Sequence, residues 1–552
     1  MPFRHKFSYC LLPIAHCLLL ISCSSNSRTK ADLIIHHAKI YTVDSTFTIA
    51  EAMAVKDGKI IAVGKTDEIL KAYDATEIKD AEGKTVFPGF IDAHTHFVNY
   101  GFSLQRVNLA GTKSWEDVVQ HCKDFVTGLP EGLWLTGRGW DQNRWPVEAF
   151  PDNEKLNETF PDRPVLLTRI DGHAAVANQK ALDIAGIKAG DKIAGGEIEV
   201  KNGKLTGILV DNAVRLVSSK IPDPDAMQIK TALLLAQSNC FATGLTTINE
   251  CGLDYQTVLF IDSLQKTGDL KMRVYAMLSD AKKNYDLAFS KGKIKTDRLQ
   301  LCAFKVYADG ALGSRGACLL KPYDDRPDWS GFLLSSPAHL DSVVNIVSQK
   351  GWQICSHAIG DSGNRTILNI YAKYLKGKND LRWRIEHAQV VNENDFHFFG
   401  EYNIIPSVQP THATSDMYWA QQRLGTERVK GAYAYKQLME QNKWIPLGTD
   451  FPVEDISPFK TFFAAVARQD AKGFPKNGFH TENALSREQT LRGMTIWAAR
   501  ASFEEKEKGS LEPGKFADFI LLDTDLMNCP ITDVLKAKVV ATYLNGEKVF
   551  GK

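Results

Sequence analysis

Between residues 87 and 448 the chain repeats one arrangement, a short apolar run with strand character followed by a stretch patterned as a helix. Eight such runs can be counted: Phe87 to Ala93, Leu245 to Asn249, Met272 to Leu278, Cys302 to Ala308, Trp352 to Ser356, Trp383 to Glu386, Ile404 to Val408 and Trp444 to Gly448. Strands joined through helical crossovers pair in parallel and are buried on both faces. Eight of them in series predict an α/β fold built on a closed, TIM-like (β/α)8 barrel. The spacers have the length of a βα unit except after the first strand, where an insertion at about residues 100–240 intervenes. It holds a strand candidate of its own, Pro164 to Ile170, and ends in the helix-like Ala226 to Ser238.

Short β-rich runs crowd both ends: Leu33-Ile34-Ile35, Lys39 to Val43 and Ile60 to Val63 at one, Phe519 to Leu522 and Val539 to Tyr543 before the turn Asn545-Gly546 at the other. Neither set is long enough for a core. Residues 24–87 and 508–552 are therefore expected to join in one β-sandwich beside a barrel spanning 88–507. With 66 basic and 65 acidic residues the formal charge is +1, so no overall field draws the chain to nucleic acid or to acidic surfaces.

Residues 1–23 differ in kind. Arg4, His5 and Lys6 precede an apolar stretch, Phe7 to Ile21, that is short for a membrane span and closed by small residues, the pattern of an export signal. Leu20-Ile21-Ser22-Cys23 resembles a bacterial lipobox, which would leave Cys23 as the lipidated first residue of the mature chain; an uncleaved or ordinarily cleaved signal is the alternative. The expectation is an exported bacterial lipoprotein, facing the periplasm, that touches the membrane only through its N-terminal anchor. The seven cysteines after Cys23 are an odd number without a Cys-x-x-Cys pair, so neither a disulfide framework nor a thiolate metal site is expected.

In such a barrel the chemistry sits at the C-terminal ends of the strands. The first strand ends in His94 and His96, the fourth carries Lys305, the fifth ends in His357, the sixth in His387 and the eighth in Asp450. Side chains two apart on a strand point the same way, so His94 and His96 can converge on one ion. Taken singly, each residue has an ordinary reading: His357 or His387 as a hydrogen-bonded core histidine, Asp450 as a helix cap. Their placement at one rim, in barrel order, points to a metal centre.

The motifs around these residues are Pro88-Gly89-Phe90-Ile91-Asp92-Ala93-His94-Thr95-His96, Phe304-Lys305-Val306-Tyr307-Ala308-Asp309-Gly310, Ser356-His357-Ala358-Ile359-Gly360-Asp361, Arg384-Ile385-Glu386-His387-Ala388 and Gly448-Thr449-Asp450. Through them the chain resembles the amidohydrolase superfamily, and within it the branch that includes N-substituted formamide deformylases, amidohydrolase family 3. The run Gly509 to Asp518 fits too, so the likeness spans all but the export signal. The resemblance implies a metal-dependent enzyme that hydrolyses a non-peptide C–N bond, amide or formamide, of a small-molecule substrate by a metal-activated hydroxide. His94, His96 and Asp450 would hold the more buried ion and His357 and His387 the more exposed one, with one or two divalent ions per chain and zinc the natural guess. Lys305 would bridge as a carbamate (N6-carboxylysine), which needs a lowered pKa and a neutral amine. The alternative keeps Lys305 a cation, salt-bridged to Asp309 or another acidic neighbour, with a single ion. Asp450 would serve as base and then as acid.

Other candidates lie on loops. In Arg169-Ile170-Asp171-Gly172-His173-Ala174-Ala175, His173 is a candidate oxyanion donor or helix cap and Asp171 a candidate substrate contact. Gln409, His412, Arg315 and Trp140 are further candidates for substrate binding, although Arg315 could instead pin its loop through backbone carbonyls. If the aromatic residues Phe97, Tyr100, Trp140, Trp145, Tyr418 and Trp419 border the rim, they favour an apolar N-substituent. Two rival readings stand beside the amidohydrolase one: a different bond on the same scaffold (ester, cyclic amide or ring deamination), or a lipid-anchored binding protein without turnover. The oligomeric state, including a homodimer, is left open.

Overall fold

Phe87 and Phe90, three residues apart, belong to different sheets. Thr85–Pro88 pairs with Phe519–Leu522 in a sheet of the two termini, while Phe90–Thr95 opens the barrel. Gly89 makes the crossing, and a Cβ there would stand 2.3 Å from Thr246 Oγ1, too close for any other residue. The expected strand from Phe87 to Ala93 is thus two strands broken at Pro88-Gly89. The structure, a computed structural model, describes residues 28–129, 132–142, 145–169, 174–193, 196–313 and 315–551. Cys23, Asp171 and His173 lie outside these described residues.

Seven parallel strands follow the predicted order: β1 (Phe90–Thr95), β2 (Leu245–Leu253), β3 (Arg273–Ser279), β4 (Leu299–Tyr307), β5 (Gln353–Ala358), β6 (Arg384–His387) and β7 (Ile405–Ser407). The eighth position is not a full strand. Leu447 alone bridges Val408 in parallel, and its carbonyl accepts from Ala93 N–H at 3.1 Å, which closes the ring onto β1. Pro446 has no N–H to offer the ladder, and the N–H of Leu447 is taken by Gly493 O at 3.0 Å, so pairing cannot extend.

The terminal segments form the expected sandwich. One sheet is wholly N-terminal, in the order Lys59–Gly64, Ala52–Lys56, Thr29–His36 and Tyr73–Asp80; the other places Val539–Leu544 and Phe519–Leu522 beside Thr85–Pro88 and Lys39–Tyr41. Leu33, Ile35, Val55, Val86, Phe519 and Tyr543 fill the space between them. The insertion is more ordered than its sequence predicts. Besides Val165–Arg169, close to the predicted strand, it contributes five further strands to a six-stranded mixed sheet with a core of Val107, Leu135, Trp140, Trp145, Leu167 and Ile208. Among the described residues no helix is long and apolar enough to cross a membrane.

Arg273 at the start of β3 ties barrel to sandwich. Its guanidinium is fully buried, donates to both oxygens of Asp518 at 2.6 and 2.9 Å, and stacks 4.1 Å from the ring centroid of Phe516. Arg273→Met would strand the Asp518 carboxylate in the interior, and removing one member of a buried pair costs about 3 kcal/mol or more. A chemical denaturation midpoint well below that of the parent is expected; an unchanged midpoint would show the joint to be dispensable.

Candidate metal centre

Parity along each strand decides which side chains reach the barrel mouth. Alternate residues face the same way, so His94 and His96 on β1 and Arg384 and Glu386 on β6 form same-facing pairs. His94 and Lys305 have no accessible surface, and Asp450 and His387 are each 5 % exposed. His387 (φ +74°) and Asp450 (φ +67°) both occupy the left-handed region, which costs a non-glycine residue about 1–3 kcal/mol. Such strain persists only where the surrounding structure holds it, and here it turns the last residues of β6 and of the Leu447 segment into the mouth. Gly448 makes that turn possible, since a Cβ there would lie 2.6 Å from His94 N. Buried Asp92 fastens the same junction, accepting from Thr449 N and Oγ1 at 3.0 and 2.7 Å and from His94 N at 3.1 Å.

Asp450 sits at the middle of the cluster. Its Oδ1 is 3.5 Å from His94 Nε2 and 3.3 Å from His96 Nε2, and its Oδ2 is 3.5 Å from His412 Nε2. Lys305 Nζ lies 3.5 Å from His94 Nε2. The His387 ring is 4.7 Å from that of His94 and 4.6 Å from that of His357, centroid to centroid. Neighbouring donors of a tetrahedral site with ligand bonds of 2.0–2.1 Å stand about 3.4 Å apart, so these spacings suit a metal ion. Three groups of donor atoms close enough to share an ion lie here: His94 with His96 and Asp450, His387 with His412 and Asp450, and His94 with Cys251 and Glu386. His357 Nε2, His412 Nε2 and Asp450 Oδ1 are buried without a hydrogen-bond partner among the described residues, a cost that ligation would remove. The residues fit a divalent metal.

Electrostatics prepare the donors. Burial and the charge of Lys305 push the His94 pKa down to about 4 and that of His357 to about 3, so both imidazoles are neutral, as ligands must be. Burial opposes ionisation of Asp450, yet His94, His96 and His412 bring its pKa down to about 2. Lys305 departs from expectation. Burial disfavours its charge, but Cys251, Tyr307, Glu386 and Asp450 outweigh burial and hold its pKa above the ordinary value, so the lysine of the metal-free chain is a cation. Asp309 is not its partner; that carboxylate accepts from the backbone N–H of Cys318, Ile359 and Gly360.

An outer layer aims the candidate donors. Glu386 Oε2 lies 2.5 Å from His94 Nδ1, which leaves Nε2 to face the centre, and Gln409 Oε1 does the same for His387 Nδ1 at 2.8 Å. Burial opposes the charge on Glu386, but Arg384 and His94 hold its pKa well below the ordinary range. Arg384 Nε is 2.7 Å from Glu386 Oε1, and Nη2 donates to Ser407 Oγ at 2.9 Å. Glu386 and Arg384 belong to the Arg384–Ala388 motif but carry no role that the motif alone predicts. A pair of charges two apart on a short apolar strand was the available signal, because both must point into the barrel.

Three candidates for substrate contact have other employment. Trp140 is fully buried in the insertion core and donates from Nε1 to Leu167 O at 2.8 Å, which takes it from the rim. Arg315 donates from Nε and Nη2 to Asp325 at 3.2 and 2.9 Å and pins its loop, through a carboxylate rather than backbone carbonyls. Gln409 orients the His387 ring instead of facing solvent, with 1 % exposure. Phe97 and Trp145 are core residues too, whereas Tyr418 is exposed and stacks on Phe474.

A (β/α)8 barrel whose strand ends gather histidines, a lysine and a carboxylate at its mouth has the make-up of a metal-dependent hydrolase. The model of the amidohydrolase family matches residues 77–550. The chain belongs to that family. It is 34 % identical over 540 residues to Protein LONG AFTER FAR-RED 3 of Arabidopsis thaliana, covering 94 % of this chain and 92 % of that one. To the N-substituted formamide deformylase of Arthrobacter pascens it is 26 % identical, covering 93 % and 97 %. Among solved structures, an uncharacterized metal-dependent hydrolase from Pyrococcus horikoshii OT3 superposes with a TM-score of 0.76 at 28 % identity, over 90 % of this chain and 99 % of that one.

Proposed function

We propose that the protein hydrolyses the C–N bond of an N-formyl or N-acyl amine, with divalent metal, zinc first among the options, held by His94, His96, His357, His387 and Asp450. The observation that carries this reading is the ionised, buried Asp450 lying 3.3–3.5 Å from three imidazole nitrogens. The likeness along nearly the full length to a relative named as a formamide deformylase supports the choice of bond.

A bound divalent ion lowers the pKa of a water molecule toward neutrality and polarises the substrate carbonyl. Asp450 takes the proton of the attacking water on a carboxylate oxygen and returns it to the amine nitrogen as the C–N bond breaks, so base and acid are one group in sequence. Its low pKa keeps it free of protons beforehand at neutral pH. Glu386 and Gln409 keep His94 and His387 in the tautomers that present Nε2. Lys305 is proposed to carry a carbamate: neutral Nζ adds to carbon dioxide and a proton leaves to solvent. Since the metal-free lysine is held as a cation, carboxylation is expected to accompany metal loading rather than precede it.

A panel of N-formyl and N-acyl amines, assayed beside esters, cyclic amides and aminated rings, tests the assignment. Turnover of formyl or acyl amines by zinc-loaded protein, absent after chelation and restored by added zinc, is the expected result. Turnover confined to esters, cyclic amides or ring deamination would overturn the bond assignment.

A further inference from the structure

His412, a candidate substrate contact by its sequence position, is a fifth imidazole at the centre. The residue is 9 % exposed and its Nε2 is buried without a hydrogen-bond partner among the described residues. A nitrogen left in that condition costs about 1–3 kcal/mol. It lies 3.5 Å from Asp450 Oδ2, on the opposite carboxylate oxygen from the one that faces His94 and His96. The His412 ring is nearly parallel to that of His387, at an interplanar angle of 14° and a centroid separation of 5.7 Å. One donor atom each from His387, His412 and Asp450 falls within 4.8 Å of the other two.

We propose that His412 is itself a metal ligand, completing with His387 a coordination position beside Asp450 Oδ2, a proposal that rests on the metal-dependent reading above. The 3.5 Å spacing to Oδ2 matches the roughly 3.4 Å between adjacent donors of one tetrahedral ion, as the spacings of His94 and His96 to Oδ1 do on the other side. Gln409 aims His387 Nε2 at the centre, so two imidazoles, one from the helix Pro410–Asp416 after β7 and one from the end of β6, close on one ion. A position with both holds its ion more tightly and leaves fewer sites for exchangeable water than His357 and His387 alone would.

The test is metal content and affinity. Zinc is titrated into metal-stripped protein under dialysis, and the cobalt-loaded protein is followed by its visible absorption. The parent chain is expected to hold two ions. His412→Ala is expected to hold the second about 100-fold or more weakly, because losing even an outer partner of a ligand costs 10- to 100-fold. Its cobalt spectrum should change with the lost imidazole, and His412→Asp, which keeps a donor oxygen, should recover much of the binding. Equal affinity and an unchanged spectrum in His412→Ala would overturn the inference while leaving the hydrolase reading intact. A drop in affinity that His412→Asp does not rescue would also overturn it, in favour of a packing role. Absence of bound metal in the parent chain at saturating zinc would overturn both.

Discussion

Replacing Asp450 by asparagine is expected to lower turnover by about 1000-fold or more while the protein still folds and retains metal. Asparagine keeps the shape of the side chain and can use its carbonyl oxygen toward His94 and His96, but it cannot accept and return a proton at neutral pH. General acid–base groups typically contribute 10²–10⁴-fold, and Asp450 is asked to act in both directions, which puts the loss at the upper end. His96, His94 and His387 remain as ligands, so metal content should fall by less than activity. The comparison of kcat with metal per chain, on one sample, separates loss of the proton carrier from loss of the centre. Near-normal turnover in the asparagine variant would remove Asp450 from this role.

Glu386→Gln is expected to damage both stability and metal binding. The parent carboxylate serves two buried partners, His94 Nδ1 and the Arg384 guanidinium. A neutral amide leaves the arginine as an uncompensated charge in the barrel, and breaking a buried pair costs about 3–5 kcal/mol. Arg384 keeps Ser407 Oγ and Asn249 Oδ1 as acceptors, so the lower part of that range applies. The loss of the anionic partner also weakens His94 as a ligand, by 10- to 100-fold in affinity. Unfolding of metal-free protein reads the first effect and dialysis against zinc the second. Variants that match the parent in both would show that Glu386 neither balances Arg384 nor orients His94.

Much of the barrel was legible because its strands are short apolar runs ending in polar residues, and that pattern survives without knowledge of contacts. The runs at β2 to β7 fall where predicted, within a few residues. The failures have local causes. At Phe87 to Ala93 the hydrophobic signal continues across Pro88-Gly89 while the backbone changes sheet, and at Trp444 to Gly448 Pro446 denies the ladder a donor. In the insertion, strands such as Ala174–Ala177 and Leu135–Trp140 are made of alanine and glycine-interrupted runs with little intrinsic β preference, and pairing with neighbours decides them. The ligand candidates stood at strand ends and could be listed by position. Their supports could not: Glu386, Asp92 and Arg384 act through partners tens to hundreds of residues away, and only the closed barrel brings those together. Trp140 illustrates the opposite error, since an aromatic residue in a loop-like stretch belongs to a core that the sequence did not disclose.

In the proposed centre, side chains from β1, β4, β5, β6 and the Leu447–Asp450 segment meet around divalent metal. Crystals of zinc-loaded protein, measured on both sides of the zinc absorption edge, test it most directly. An anomalous peak bounded by His94, His96 and Asp450, with a second at His387 beside His357 and His412, is the predicted result. Zinc-saturated crystals whose anomalous density lies only outside this cluster, or nowhere, would contradict it.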